Sequence, residues 1–337
     1  MSDPASSDAT VNPAGPAPTM HTSHSSADDG LSERASDDTG GSPVTVIIPT
    51  LATANRAELL KRAIDSVQAQ RGVRATALVV VNGDVRDTQL LAAIRQDTRI
   101  RIVTTGLADL PGALRLGRAH VETPFFTALD DDDVLVPTAL QVRRAALAER
   151  ADCVAVVTNG WRRDARGDAP HMDSFEGVRR DPLRSLLEYN WLLPGAWLAR
   201  TDAFRDEVFA GMPRYLECTY LAVRFATTHR TCFLDEPTVA WSADTPHSVS
   251  KSREYVLGLE SALQRILELD FPADVRRGFR RKLAWAQHCA ARLLLAEGRS
   301  QAAWGTHLRS LRGPDSWRFL SLTPRLFLMR PWGVSGS

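Results

Sequence analysis

No uninterrupted apolar run in the 337 residues reaches the roughly 18–20 needed to cross a bilayer, and no basic-then-apolar leader opens the chain. The expected location is therefore the cytoplasm. An excess of charge of one sign is missing as well. Forty-one Lys and Arg stand against 40 Asp and Glu, so the overall electrostatic grip that nucleic acid requires is not expected. Cysteine is scarce: Cys153, Cys218, Cys232 and Cys289 form no CxxC pair and no Cys/His spacing of a zinc site, and buried free thiols are the expectation. Lysine occurs only at Lys61, Lys251 and Lys282, an arginine bias that assigns no chemistry by itself. No GxGxxG follows the first apolar run, which removes the dinucleotide-binding fingerprint.

What is present divides into three. Residues 1–42 are Ser, Asp, Ala, Pro, Thr and Gly with almost no large apolar side chains, a composition that cannot offset the entropy of ordering and reads as a disordered tail. From residue 43 to about 250, continuous β-branched runs (VTVIIPT at 44–50, ALVVV at 77–81, IRIV at 100–103, PFFTAL at 124–129) alternate with amphipathic segments. That alternation predicts a mostly parallel sheet with helices on both faces, and such sheets bind ligands beyond the carboxyl ends of their strands. A fifth strand is expected near 153–157 and a polar loop at 160–180. Residues 251–337 carry apolar side chains at three- and four-residue spacing and predict a helical C-terminal region.

Directly after the fourth strand come Asp130, Asp131, Asp132 and Asp133. Ionised carboxylates so close together need a cation or water. In an extended conformation Asp130 and Asp132 would share a face, a donor pair suited to Mg²⁺ or Mn²⁺ that also takes phosphate oxygens. An EF-hand starting at Asp130 fails, because its sixth and twelfth positions are Leu135 and Gln141 rather than Gly and Glu. A solvated acidic loop is the plain alternative.

Several blocks, in order, resemble the GT-A-fold glycosyltransferases of the family-2 type: VTVIIPT at 44–50, NRAELLKRAIDSVQAQ at 55–70, VVVNGD at 79–84 and FFTALDDDDVLVP at 125–137. The likeness runs from about 44 to 250. It implies a nucleotide-diphosphate-sugar donor, UDP-linked as the first expectation. Pro49 and Thr50 would lie against the nucleoside, and Asn82 or Asp84 near the base. By motif position Asp130 and Asp132 form the DxD, with Asp131 or Asp133 assisting, and His247, in the late loop WSADTPHSVS at 241–250, would contact a phosphate or serve as a further metal ligand.

The resemblance also implies an inverting hexosyltransferase with a carboxylate base from an EDxxLxxR stretch. Here the stretch is ECTYLAVR at 217–224, so Cys218 stands where the family has Asp, and Glu217 is the carboxylate left to act. The acceptor would be a hydroxyl of a glycan, a lipid-linked molecule or a small molecule. A catalytically impaired nucleotide-sugar-binding or scaffold subunit is the alternative that Cys218 raises. Trp191 and Trp197, beside a Pro-Gly turn, are weak candidates for stacking on a sugar. The Arg- and aromatic-rich stretch 317–332 fits either packing or shallow contact with the inner face of a membrane.

Overall fold

The computed structural model describes residues 42–84, 86–204, 208–243, 245 and 249–328. All but one residue of the expected tail lie outside these. The first half is built from β1 (Val44–Thr50), α1 (Ala57–Gln68), β2 (Ala75–Asn82), α2 (Thr88–Arg95), β3 (Ile100–Thr105), α3 (Leu110–Ala119) and β4 (Phe125–Ala128). Then follow β5 (Val134–Leu135), α4 (Ala139–Glu149), β6 (Ala155–Asp164), β7 (Gly167–Pro170), α5 (Glu176–Arg180), α6 (Pro182–Ser185), β8 (Trp197–Arg200), α7 (Glu217–Thr228) and β9 (Thr231–Ser242). The C-terminal region is helical: α8 (Arg253–Leu267), α9 (Ala273–Ala296), α10 (Ser300–Ser310) and α11 (Thr323–Leu328).

The strands form one mixed sheet in the order β3-β2-β1-β4-β8-β6-β9-β5, with β7 paired to β6. β3, β2, β1 and β4 are mutually parallel, as are β6 and β9, while β8 runs antiparallel between β4 and β6. All seven residues of β1 are buried, because helices cover both of its faces. Alternate side chains go to opposite layers. Ile47, Leu78 and Val80 join the layer of α3, α7, α8 and α9, whereas Val46, Ile48, Val79 and Val81 join that of α1, α2 and α4. Gly117 on α3 is required by this packing, since a Cβ there would lie 2.4 Å from Ile47 Cγ2. Leu263, Ile266, Val275 and Phe279 make α8 and α9 part of the same core, and α10 and α11 pack on α9 through a smaller cluster. Among the described residues no helix is long and apolar enough to cross a membrane.

Two expectations are corrected. Residues 160–180 are not a loop: β6 continues to Asp164 and turns back into β7, with Asp164 opposite Gly167 and Trp161 opposite Pro170. This ribbon projects polar side chains on both faces and is tied by Arg163 to Asp168 at 3.0 Å, so no apolar alternation marks it. The cysteines are not all free thiols either. Cys153 and Cys232 are joined as a disulfide with Cα atoms 6.1 Å apart, because the parallel pairing of β6 with β9 brings together residues 79 apart in sequence. Cys218 and Cys289 are free.

Candidate active site

The carboxyl ends of β1, β2 and β4 open into one cleft of about 820 Å³, whose opposite wall is the N-terminus of α7. Pro49 and Thr50 end β1, Asn82 ends β2, and Asp130, Asp131 and Asp132 leave β4, and all of them line the cleft together with Glu217.

The aspartates lie on a turn, not on an extended strand. The Asp133 N–H donates to the Asp130 carbonyl at 3.1 Å, and the four side chains separate into different roles. Asp131 turns to β1: it accepts from Thr50 Oγ1 at 2.5 Å and from Arg56 Nε at 2.9 and 3.0 Å, with a further bond from the Arg56 terminal nitrogen. The same guanidinium stands 3.4 Å from Asp132 Oδ1. The hydrogen bond to Asp131 holds the Arg56 guanidinium firmly charged against the opposing effect of burial. Asp133 is buried behind the turn, where its Oδ1 accepts from the Ser242 N–H at 3.0 Å and its Oδ2 has no partner among the described residues. Burial pushes the Asp133 carboxyl well above the usual range.

Asp130 and Asp132 remain half-buried at the cleft. Burial, helped by the charges of Asp132, Asp131 and Glu217, pushes the Asp130 carboxyl up to about 8. Arg56 is committed to Asp131, so these two oxygen donors lack a full counter-charge. Among the described residues no three His, Cys, Asp or Glu side chains are grouped to hold an ion alone. Two carboxylates that need positive charge do fit Mg²⁺ or Mn²⁺ completed by phosphate oxygens and water.

Opposite them, Glu217 is the first residue of α7. The two residues before it, Tyr215 (φ 70°) and Leu216 (φ 58°), both take the left-handed conformation that side-chain-bearing residues avoid. Through this bend the Tyr215 N–H donates to Glu217 Oε1 at 2.8 Å. Burial raises the Glu217 carboxyl above its ordinary value, and hydrogen bonds from backbone N–H groups oppose the shift. Cys218 sits beside the same carboxylates. Burial and the charges of Asp130, Glu217 and Asp133 push its thiol far up, so it is no thiolate nucleophile.

Residues 45–215 match glycosyl transferase family 2. The chain belongs to that family. No curated protein sequence matches it. Among solved structures it is similar to S. aureus TarS 1-349 in complex with UDP-GlcNAc (15% identity, 86% of this chain and 87% of that chain covered, TM-score 0.54). The complex of TarS 1-349 with UDP matches at the same identity and coverage with a TM-score of 0.50. At this identity the likeness shows the shared GT-A fold.

Within this family-2 domain the structure treats the remaining candidates unequally. Asp84 is exposed beside Gly106 and is not among the residues lining the cleft, whereas Asn82 is buried in its wall. His247 lies outside the described residues. Trp191 and Trp197 are core, not sugar platforms: Trp191 packs edge-on to Phe233 at 5.2 Å and donates to the Pro182 carbonyl, and Trp197 packs on Phe126 at 5.4 Å. Arg56 and the Tyr215–Tyr255 pair are lining residues that sequence reasoning missed. A lone cation opening the first helix, facing an acidic run, was the one available sign of Arg56. Nothing local marks Tyr255, which comes from α8.

Proposed function

We propose that this family-2 domain, residues 43–250, is an inverting hexosyltransferase. It moves a sugar from a nucleotide-diphosphate donor, UDP-linked, to a hydroxyl of a glycan, a lipid-linked molecule or a small molecule. The observation that carries this reading is the meeting, in one cleft, of Asp130 and Asp132 with a raised, backbone-held carboxylate at Glu217. The solved structures of TarS with UDP-GlcNAc and with UDP support the donor class.

In this mechanism Pro49, Thr50 and Asn82 form the nucleoside side of the cleft, and Asp130 and Asp132 the diphosphate side, with Asp131 assisting from its bonds to Thr50 and Arg56. Glu217 accepts the proton of the acceptor hydroxyl while that oxygen bonds to the anomeric carbon. The bond from the anomeric carbon to the diphosphate oxygen breaks, UDP leaves with the electron pair, and the configuration inverts. A carboxyl raised above its ordinary value by burial is a better proton acceptor than an exposed one, as a general base requires. Asp130 and Asp132 would hold Mg²⁺ or Mn²⁺, which when bound would supply Lewis-acid stabilisation of the diphosphate. Arg56 keeps Asp131 turned away and fixes the turn that presents the other two.

The test is UDP release from a panel of UDP-sugars with Mn²⁺ and with chelator. Turnover that disappears with chelator is the expected result. Nucleotide binding without any release would instead favour a catalytically impaired binding subunit. For location we propose the cytoplasm, and one observation favours contact with a membrane surface. Trp317, Leu320 and Phe327 are 68%, 53% and 59% exposed, while Phe319, Leu322 and Leu326 of the same stretch pack inward. Co-sedimentation with anionic vesicles, lost on Trp317→Ala, checks it.

A further inference from the structure

The segment that delivers Glu217 is strained, and strain of this kind persists only where the surroundings over-determine it. The surroundings here come from α8, which lies beyond the matched residues 45–215. One face of that helix, at spacings of three and four, meets the segment 211–217. Arg265 Nε donates to the Gly211 carbonyl at 3.0 Å. Tyr255 packs edge-on against Tyr215, ring centres 5.3 Å apart. Between them is Gly258, where a Cβ would stand 2.3 and 2.4 Å from Tyr215 Cε2 and Cδ2. Glycine is the poorest helix former after proline, so its place inside a 15-residue helix calls for a cause. The Tyr215 ring fills the notch that the missing side chain leaves.

We propose that α8 belongs to the catalytic apparatus: Gly258, with Tyr255 and Arg265, holds Tyr215 in its left-handed conformation so that its N–H fixes the Glu217 carboxylate in the cleft. Gly258 is thus a positioning residue. The inference rests on the reading of Glu217 as the base, and its own geometry can be tested apart from that reading. Arg214 strengthens the clasp from the other side, its guanidinium 5.4 Å from the centre of the Tyr215 ring.

Crystal structures of the wild type and of Gly258→Ala are the first test. Tyr215 and Leu216 should leave the left-handed region and the bond to Glu217 should open. An unchanged bend in Gly258→Ala overturns the proposal, whatever the enzyme's substrate. The second test is kinetic, with UDP-GlcNAc as donor and UDP affinity measured by calorimetry. Gly258→Ala should lower kcat by about 10–100-fold, the cost of a catalytic group misplaced by about 1 Å, with UDP affinity kept within about two-fold. In a Tyr215→Ala background the same substitution should cost almost nothing, since the ring it displaces is gone. Loss of UDP affinity in step with kcat would mean general disruption and would overturn the proposal. If Gly258→Ala does not fold, Arg265→Gln, on the exposed side of the clasp, should show a smaller loss of kcat with UDP affinity intact, and no loss there refutes the clasp. Full turnover in Glu217→Gln would remove the base reading while leaving the crystallographic test standing.

Discussion

The two walls of the cleft are made in opposite ways. What we propose as the donor wall is the ends of parallel strands, and part of its polar groups are paired within it: Thr50 and Arg56 both serve Asp131, and the Ser242 N–H serves Asp133. The proposed acceptor wall is a helix N-terminus reached through two left-handed residues, with Glu217 bonded by the Tyr215 N–H from that bend. On the proposed mechanism donor binding falls to the strand ends, where Ala52 (φ 49°) also departs from regular backbone, and proton transfer to the bend that α8 packs against. The difference teaches where tolerance to change should lie.

The sharpest way to break this contrast is Glu217→Gln. It should lower kcat by about 10²–10⁴, the usual worth of a general base, and leave UDP affinity unchanged in calorimetry. On the donor wall, Arg56→Ala strips the counter-charge from a buried carboxylate. A loss of about 3 kcal/mol in urea unfolding is expected, as for a broken buried pair, together with weaker UDP binding. If stability held and only kcat fell, the two walls would not be distinct.

A smaller effect sharpens the comparison through pH. Asp130 is pushed up to about 8 in the fold, above its ordinary unfolded value. Its neutral form is therefore favoured in the folded state, and stability falls as pH rises through about 8. Asp130→Asn should raise the metal-free Tm at pH 8.5 by about 1–2 °C, what ~1 kcal/mol yields in a chain of this size, and should abolish the Tm gain from Mn²⁺. The smallest change is expected from Cys218→Ser. A thiol held neutral takes no part as a nucleophile, so kcat should stay within about three-fold in the same UDP-release assay.

The donor wall was legible in the sequence and the acceptor wall was only partly so, for physical reasons. Strands buried on both faces write themselves as continuous apolar runs, and the acidic tetrad advertises its place at a strand exit. Even there, extended alternation was the wrong geometry. Asp130 and Asp132 both line the cleft, while the turn sends Asp131 to Arg56 and buries Asp133 behind it. On the other side Glu217 was found by its place in a motif, but the bend before it carries no mark, since neither Tyr215 nor Leu216 is a residue that prefers positive φ. Tyr255 reaches the cleft, and Gly258 the Tyr215 ring, by tertiary packing alone. The aromatic pair Trp191 and Trp197 misled because a ring beside a Pro-Gly turn looks the same whether it faces a ligand or a core.

The bond between Cys153 and Cys232 lies at the amino ends of β6 and β9, whereas β9 meets the cleft only at Trp241 and Ser242. At about 3.3 Å per residue the two ends of that strand are roughly 30 Å apart. A crosslink closing so long a loop stabilises by about 4–5 kcal/mol on the chain-entropy account. The surrounding thiol balance could then govern how long each molecule survives without touching how fast it works, which makes durability and turnover separately adjustable along a single strand.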